Sequence, residues 1–274
     1  MKVITAFILK HYFLLLFLTF EFFSISLLIL NNSFHNASYF NSSNLFIGRI
    51  FESYHDLTQY FNLVEQNEEL AKENAKLRSR SKLSYMKFDV TYGNRTITLF
   101  KPQYNYIDAK VVNNSVNKRN NYITINKGSA HGISNDMGVI FNDAVVGIVK
   151  NVSNSYSTIM PLLHTASKTS AKINSTEYFG SLIWEGNDYK TVVLKEIPNH
   201  VKVKEGDTIS TTSYSSFFPQ GMLIGFAKNT EEDNSGLFLN VEVELFLDFK
   251  KLSHVYVVEN LKRNEQVKLE AEND

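Results

Sequence analysis

A seven-residue repeat of leucine between residues 57 and 80 constrains this chain most. Its members are Leu63, Leu70 and Leu77. A helix that keeps its apolar residues on so narrow a stripe cannot fill the core of a monomer, so it needs a second helix, most simply a copy of itself. If the leucines take the d positions of a coiled coil, the a positions carry one aromatic and two polar residues. These are Tyr60, Asn67 and Asn74.

Asparagines at the predicted seam, together with flanking charges, favour a parallel dimer. Asparagine facing asparagine lowers stability but penalises slipped registers and larger oligomers. In a parallel pair, Glu73 of one helix would face Arg78 of the other, which favours that orientation by roughly 0.2–0.5 kcal/mol. A single solvated helix stays open as the alternative, because about three heptads is the usual minimum for a coiled coil.

An apolar segment at residues 12–30 has about the length that spans a bilayer. Its polar residues are Thr19, Glu21, Ser24 and Ser26. Lys2 and Lys10 precede the segment and the next Lys or Arg is Arg49, which predicts a transmembrane helix with its N-terminus inside. A cleaved signal peptide is the alternative, although the apolar stretch is longer than usual and no small-x-small cleavage site follows it.

Glu21 lies near the middle of this segment, where a carboxylate costs about 2–3 kcal/mol. We expect it either to face a polar residue of another membrane protein or to be tolerated in its protonated form. If a Glu21→Leu variant retained every co-purifying membrane partner, the first interpretation would be wrong.

These patterns divide the N-terminal part of the chain into four segments. We predict a cytoplasmic stub at 1–11, the transmembrane helix at 12–30, a linker rich in Asn and Ser at 31–44, and a coiled-coil stalk at 45–85. At 1.5 Å per helical residue, the stalk would extend for about 45–60 Å.

Beyond the stalk, short alternating runs rich in Val, Ile, Thr, Tyr and Phe predict consecutive β-strands. The runs are 95–101, 108–112, 122–126, 139–149, 158–163, 181–184, 191–197, 207–212, 223–228, 237–247 and 255–258. Eleven strands without a long amphipathic helix predict small barrels or sandwiches. The polar stretch at 164–178 predicts a boundary between a first β unit at 86–170 and a second at 171–260, with the option that the last strand returns to the first unit. A polar tail at 261–274 follows.

Turn and strand motifs follow one another through residues 123–260. They read INKGSAHGI at 125–133, GSLIWEG at 180–186, VKEGDT at 203–208, FPQGMLIG at 218–225 and DFKKLSHVYVV at 248–258. The glycines at 128, 132, 206, 221 and 225 predict positive φ or close backbone approach. Each motif alone has low specificity, but their order behind an anchored stalk resembles the rod shape-determining protein MreC family. The sequence departs from that family's pattern at Ser213, where glycine is usual.

This resemblance implies a mainly β fold: an N-terminal transmembrane helix, a coiled-coil helix and two small six-stranded β-barrels. It also implies a single-pass protein of the bacterial inner membrane, with its bulk in the periplasm. The implied function is that of a non-enzymatic scaffold that organises the cell-wall elongation machinery. The implied partners are MreD, MreB, RodA and the elongation-specific penicillin-binding transpeptidase.

The sequence contains few patterns that indicate catalysis or the binding of a metal or cofactor. No Gly-x-Ser-x-Gly or Gly-Asp-Ser-Gly-Gly motif surrounds a serine, which disfavours a membrane-anchored hydrolase. The histidines considered lack metal-ligand spacing, there is no cysteine, and no phosphate-binding loop is present, so we expect no metal or cofactor. Those histidines are His131, His164, His200 and His254. A net charge of zero removes the electrostatic argument for binding nucleic acid.

A periplasmic adaptor of an efflux or secretion complex is the alternative function, since it also joins an anchor, a coiled coil and β domains. Such an adaptor needs an antiparallel helical hairpin between two β segments. Only one heptad run occurs here.

Aromatic residues are concentrated near one turn of the second β unit. Tyr214, Phe217 and Phe218 lie within five residues of each other. Aromatic side chains often anchor protein interfaces, so we predict a partner-binding surface here. The alternative is that most of these rings fill barrel cores.

Overall fold

The structure is a computed structural model that describes Phe7 and residues 10–31, 63–92 and 95–272. The predicted linker beyond Asn31, the first part of the predicted stalk and Tyr60 lie outside these residues. The chain divides into two compact units, Met1–Asn67 and Glu68–Asp274.

Three α-helices are described over continuous runs of residues. Helix α1 comprises Tyr12–Asn31, helix α2 covers residues 63–79, and helix α3 comprises Arg263–Ala271. Large apolar side chains of α1 are exposed, with Phe13 at 75 % and Phe22 at 76 %. Judged on the described residues alone, no helix combines the length and the apolar character needed to cross a membrane.

Two strands directly after α2 form a sheet of their own. They are β1, Tyr85–Tyr92, and β2, Arg95–Pro102, which pair antiparallel from Tyr85↔Pro102 to Tyr92↔Arg95. Strand β1 falls where the sequence predicts the end of the stalk and the beginning of the first β unit. The alternation of Met86, Phe88 and Val90 before Gly93-Asn94 is typical of a hairpin and could have predicted it.

Six strands close into the first barrel. They are β3 Tyr104–Asn114, β4 Ile123–Ile125, β5 Gly138–Phe141, β6 Ala144–Val152, β7 Ser157–Pro161 and β14 His254–Asn260. Their order around the barrel is β6-β5-β14-β3-β4-β7, and pairing of β6 with β7 closes it. The last strand therefore returns to the first barrel, where it lies between β3 and β5.

The remaining six strands close in the same way. They are β8 Lys168–Ile173, β9 Phe179–Ile183, β10 Thr191–Pro198, β11 Thr208–Thr211, β12 Leu223–Glu232 and β13 Phe238–Leu245. Their order is β11-β8-β9-β10-β13-β12, closed by pairing of β11 with β12. A single parallel pair, Leu223↔Ala144, joins this ring of strands to the first. The prediction of a mainly β fold with a six-stranded barrel is confirmed.

Two sequence-based predictions need correction. The run at 139–149 is two strands, because Asn142 and Asp143 both adopt positive φ, 47° and 67°, and turn the chain between β5 and β6. The predicted boundary at 164–178 contains β8. Its buried positions are Thr169, Ala171 and Ile173, and the first two are too small or too polar to produce a clear hydrophobic alternation. The predicted polar tail forms helix α3 over Arg263–Ala271, none of whose residues is buried.

The barrel interiors share one continuous cluster of buried apolar side chains. Glycines allow the strands to close tightly around this core. A Cβ on Gly225 would lie 2.0 Å from the carbonyl oxygen of Glu244, and Gly221 adopts a φ of +83°. Close backbone approach and positive φ are the two constraints that the sequence predicts for these glycines. Ser213 does not adopt a positive φ, so its turn does not require glycine.

Candidate interaction surfaces

The end of helix α2 packs against the first barrel. Ala71 and Ala75 are buried, at 8 % and 5 % exposed, and Ala75 belongs to the barrel core cluster. The backbone N–H of Tyr106 in β3 donates to Ser79 Oγ at 3.0 Å. The small residues let the helix approach the strands closely, so the stalk end and the barrel form one packed junction.

Arg78 strengthens this junction from the side of the helix. Its guanidinium donates to the carboxylate of Asp143 and lies over the ring of Tyr256 at 5.1 Å. Arg78 thus has a carboxylate and an aromatic ring within its own chain. Its pairing with Glu73 of a second chain stays a prediction. Burial raises the pKa of the Tyr256 hydroxyl, and the nearby Arg78 charge opposes that rise.

The leucines at the predicted seam of α2 are exposed. Leu63, Leu70 and Leu77 are 54 %, 54 % and 58 % exposed. Asn67 and Asn74 are also exposed, and Asn67 Nδ2 donates to the carbonyl oxygen of Leu63 at 2.8 Å. The two alanines that touch the barrel lie on a different side of the helix from Leu70 and Leu77. Docking of α2 on the barrel thus leaves its leucines available.

The three aromatic residues predicted at an interface occupy different environments. Phe218 is 1 % exposed and fills the core, where its ring lies close to the backbone of Gly138. Phe217 is half-buried beneath the guanidinium of Arg263, 5.0 Å from its ring centroid. Tyr214 alone is open to solvent, at 70 % exposed. Phe218 is therefore a core residue and not part of the predicted partner-binding surface.

Tyr214 has aromatic neighbours that were not predicted. Its ring lies 5.2 Å from that of Phe179 at the start of β9, and Phe179 is 52 % exposed. Tyr178 precedes it, with its hydroxyl 3.1 Å from Nε2 of His200. A groove of about 520 Å³ runs beside these rings. It is lined by Lys168, Ser170, Tyr178, Phe179, Gly180, Ser181, Glu196 and Pro198.

We call Tyr178, Phe179 and Tyr214 the aromatic patch. Two adjacent aromatic residues before the GSLIWEG motif were a usable signal. The boundary predicted at 164–178 obscures this signal, because it ends at Tyr178.

The histidines singled out in the sequence make local contacts. His131 accepts a hydrogen bond from the N–H of Gly128, and His164 accepts one from the N–H of Ala166. Glu21 is exposed on α1. In the described part of the chain, no three acidic or histidine side chains lie close enough together to hold a metal ion.

Comparison with known proteins gives a consistent result. A family model described as "Rod shape-determining protein MreC, barrel core" matches residues 111–259. The cell shape-determining protein MreC of Bacillus subtilis is 30 % identical over 250 residues, which cover 84 % of this chain and 81 % of that protein. The corresponding protein of Listeria monocytogenes is 28 % identical over 207 residues, covering 73 % of this chain and 68 % of the relative.

A solved structure also resembles this one. MreC from Listeria monocytogenes superposes with a TM-score of 0.54 at 26 % identity, covering 74 % of this chain and 92 % of that chain. The family model covers more than half of the sequence, and it spans the first barrel's returning strand as well as the second ring of strands. This chain therefore belongs to the rod shape-determining protein MreC family.

Proposed function

We propose that this protein is a non-enzymatic, membrane-anchored scaffold that dimerises and organises the cell-wall elongation machinery to maintain cell shape. Its membership of a family whose relatives are named cell shape-determining proteins carries the proposal. The same membership favours a scaffold over the adaptor of an efflux or secretion complex.

The anchor in this proposal is residues 12–30, inserted in the bacterial inner membrane with the N-terminus inside and the bulk of the chain in the periplasm. The distribution of basic residues supports this orientation. Exposed phenylalanines on α1 support an apolar environment around that helix, because such side chains are stabilised outside water. Glu21 is the proposed contact with a polar residue of another membrane protein.

Dimerisation is the second part of the proposal. The exposed leucines of α2 are the proposed seam, with Tyr60, Asn67 and Asn74 at the a positions. A dimer presents two barrel heads, and so raises the local concentration of whatever the heads bind. The proposed partners are MreD and MreB at the membrane and its cytoplasmic side, and RodA and the elongation-specific penicillin-binding transpeptidase outside.

The leucine seam is tested by changing Leu70 and Leu77 together to Asn. The matched control changes Glu69 and Lys76 to Asn, which lie seven residues apart on another side of the same helix. Because each leucine buried in a dimer contributes about 1.5 kcal/mol or more, the first pair of changes is expected to weaken dimerisation at least about a hundredfold. The measurement is the mass of residues 45–274 in solution, and the control is expected to keep the mass of the parent.

The shape of cells that express the leucine variant tests whether dimerisation is needed for function. In a rod-shaped host depleted of its own protein, the full chain with both leucines changed is expected to give round cells. The control is expected to restore rods. If cells that express the leucine variant stay rod-shaped although the variant is monomeric, dimerisation is not needed for cell shape. That outcome would contradict this part of the proposal.

The aromatic patch is the proposed docking surface for the transpeptidase. Large exposed rings beside a groove supply the apolar contact area that protein interfaces use. Phe179→Ala combined with Tyr214→Ala is expected to weaken binding of the purified transpeptidase ectodomain at least about tenfold. Phe226→Ala is the matched control, because Phe226 is another exposed ring of the same barrel. Unchanged affinity in a folded double variant would exclude the patch.

A further inference from the structure

The β1–β2 hairpin has one apolar face and one polar face. The register pairs Phe88 with Leu99 and Met86 with Lys101, so their side chains share a face with Ile97. On the opposite face, Lys87 pairs with Asp89 at 3.2 Å and Thr98 donates to Asp89 at 2.7 Å. That polar face also carries Phe100, which is 66 % exposed, and, at the end of the hairpin, the Tyr85 ring and Pro102.

The apolar face is only partly covered by other described residues of the chain. Ile97 and Leu99 are 51 % and 45 % exposed, and Met86 and Phe88 are half-buried. Within the described residues, none of these four belongs to the barrel core or packs against it. An isolated two-stranded hairpin is at best marginally stable in water, because each strand has only one neighbour. This face therefore needs a second surface to pack on.

We propose that this surface is the same face of the hairpin in a second copy of the chain, which extends the dimer proposed for helix α2. The inference thus rests on the proposed dimer. Five residues, 80–84, separate α2 from the hairpin, and they include a short turn at Lys82–Ser84. Two parallel paired helices lie about 10 Å apart, so their hairpins start as neighbours.

The dimensions of the face suit this role. Eight-residue strands extend for about 27 Å, and two strands give a width of about 10 Å. Pairing of two such faces removes about 500 Å² from water, about half of what a specific interface needs. The described leucine stripe is short for a coiled coil, and the hairpins supply the missing area.

The face is also complementary to itself under two-fold symmetry. With the axis along the strands, β1 of one copy lies opposite β2 of the other. Phe88 then faces Leu99 of the second copy, and Lys101 faces Met86 rather than a second Lys101. Lys101 already lies over the ring of Phe88 at 5.3 Å, so its charge stays at the edge of the contact.

Because the sequence has no cysteine, single cysteines can report the contact in the full chain within membranes. Paired sheets lie about 10 Å apart, which a short bis-maleimide reagent spans. Leu99→Cys is expected to form covalent dimers at least fivefold more efficiently than the matched Thr98→Cys on the polar face. Adding Phe88→Asp to Leu99→Cys is expected to abolish the product.

Leu77→Cys on helix α2 distinguishes failure of this inference from failure of the dimer. If Leu77→Cys forms dimers and Leu99→Cys does not exceed Thr98→Cys, the hairpin contact is wrong and the helix dimer stands. If neither leucine position yields dimers, both proposals are wrong. A product of Leu99→Cys with the mass of a different protein would show that another partner covers the face, and would overturn the pairing of two copies.

Discussion

The surroundings of His164 lower the pKa of its imidazole ring. The ring is 4 % exposed, and its Nδ1 accepts a hydrogen bond from the N–H of Ala166 at 3.0 Å. Burial lowers the pKa of His164, and the positive charge of Lys150 lowers it further. Nε2 has no hydrogen-bond partner within the described residues, so a second proton on the ring would break one contact and bury a charge.

This shift predicts a loss of stability in acid. Below pH 6.5, the unfolded chain takes up a proton that the folded chain rejects, so the free energy of unfolding falls until the lowered folded pKa is reached. The slope from this residue is at most about 1.4 kcal/mol per pH unit. In His164→Asn, an amide oxygen can still accept from Ala166, and this part of the slope is expected to disappear.

Chemical denaturation at several pH values between 7.5 and 5 measures the slope. An unchanged slope in His164→Asn would show that another group causes the acid sensitivity.

At the scale of single residues, sequence reasoning identified backbone constraints better than side-chain roles. The motif glycines were predictable because positive φ and close approach are properties of the glycine itself. Phe217, Phe218 and Tyr214 could not be distinguished, because adjacent aromatic residues in an irregular turn have no period that assigns them to the core or to solvent. The contact of Arg78 with Asp143 has no signal in the sequence, because it joins positions 65 residues apart.

At the scale of secondary-structure elements, the packing of α2 against the first barrel determines how rigidly the C-terminal end of this helix is held on the barrel. Arg78 is a small part of that packing, because its ion pair with Asp143 is partly exposed to solvent. The contact with Tyr256 adds a cation–π interaction.

Arg78→Ala is expected to loosen the end of α2 without unfolding the barrel. The loss is about 1 kcal/mol of local stability, which corresponds to about fivefold faster amide exchange in residues 72–79. Hydrogen–deuterium exchange measures this, with the exposed Arg80→Ala as the matched control. Faster exchange throughout β3 and β14 would instead mean that Arg78 supports the whole barrel.

Strands were predictable where their side chains alternate clearly in size and polarity, as in β10 and β14. Strand β8 was missed because Thr169 and Ala171 are buried without being large. The heptad phase of α2 agreed with the exposure of Leu70 and Leu77, but exposure in one chain does not test their pairing.

The whole molecule offers a test of how its barrels depend on each other. One continuous core cluster runs through both rings of strands, and β14 returns to the first ring after the second is complete. We therefore expect the two barrels to unfold together. The single tryptophan, Trp184, lies in the second ring and is 5 % exposed, so its fluorescence reports on that ring alone.

Val257→Ala in β14 removes fully buried methyl groups from the first barrel. A loss of about 2 kcal/mol is expected, which lowers the unfolding temperature by about 4–8 °C. If the barrels are coupled, Trp184 fluorescence shows the same shift as far-UV circular dichroism. Val112→Ala is the control, because Val112 is 50 % exposed. A Trp184 transition that stays at the parent temperature would show that the barrels unfold independently.

The sequence by itself determined the heptad repeat, most of the strands, the glycine positions and, through ordered motifs, the family. These depend on neighbouring residues and on periods of two or seven, which are local properties of a chain. Only the tertiary structure decided which strands close each ring, that β14 returns to the first, that Arg78 binds its own barrel and that Tyr214 lies beside Phe179. Those contacts join residues far apart in sequence, and their energies depend on burial that no local pattern specifies.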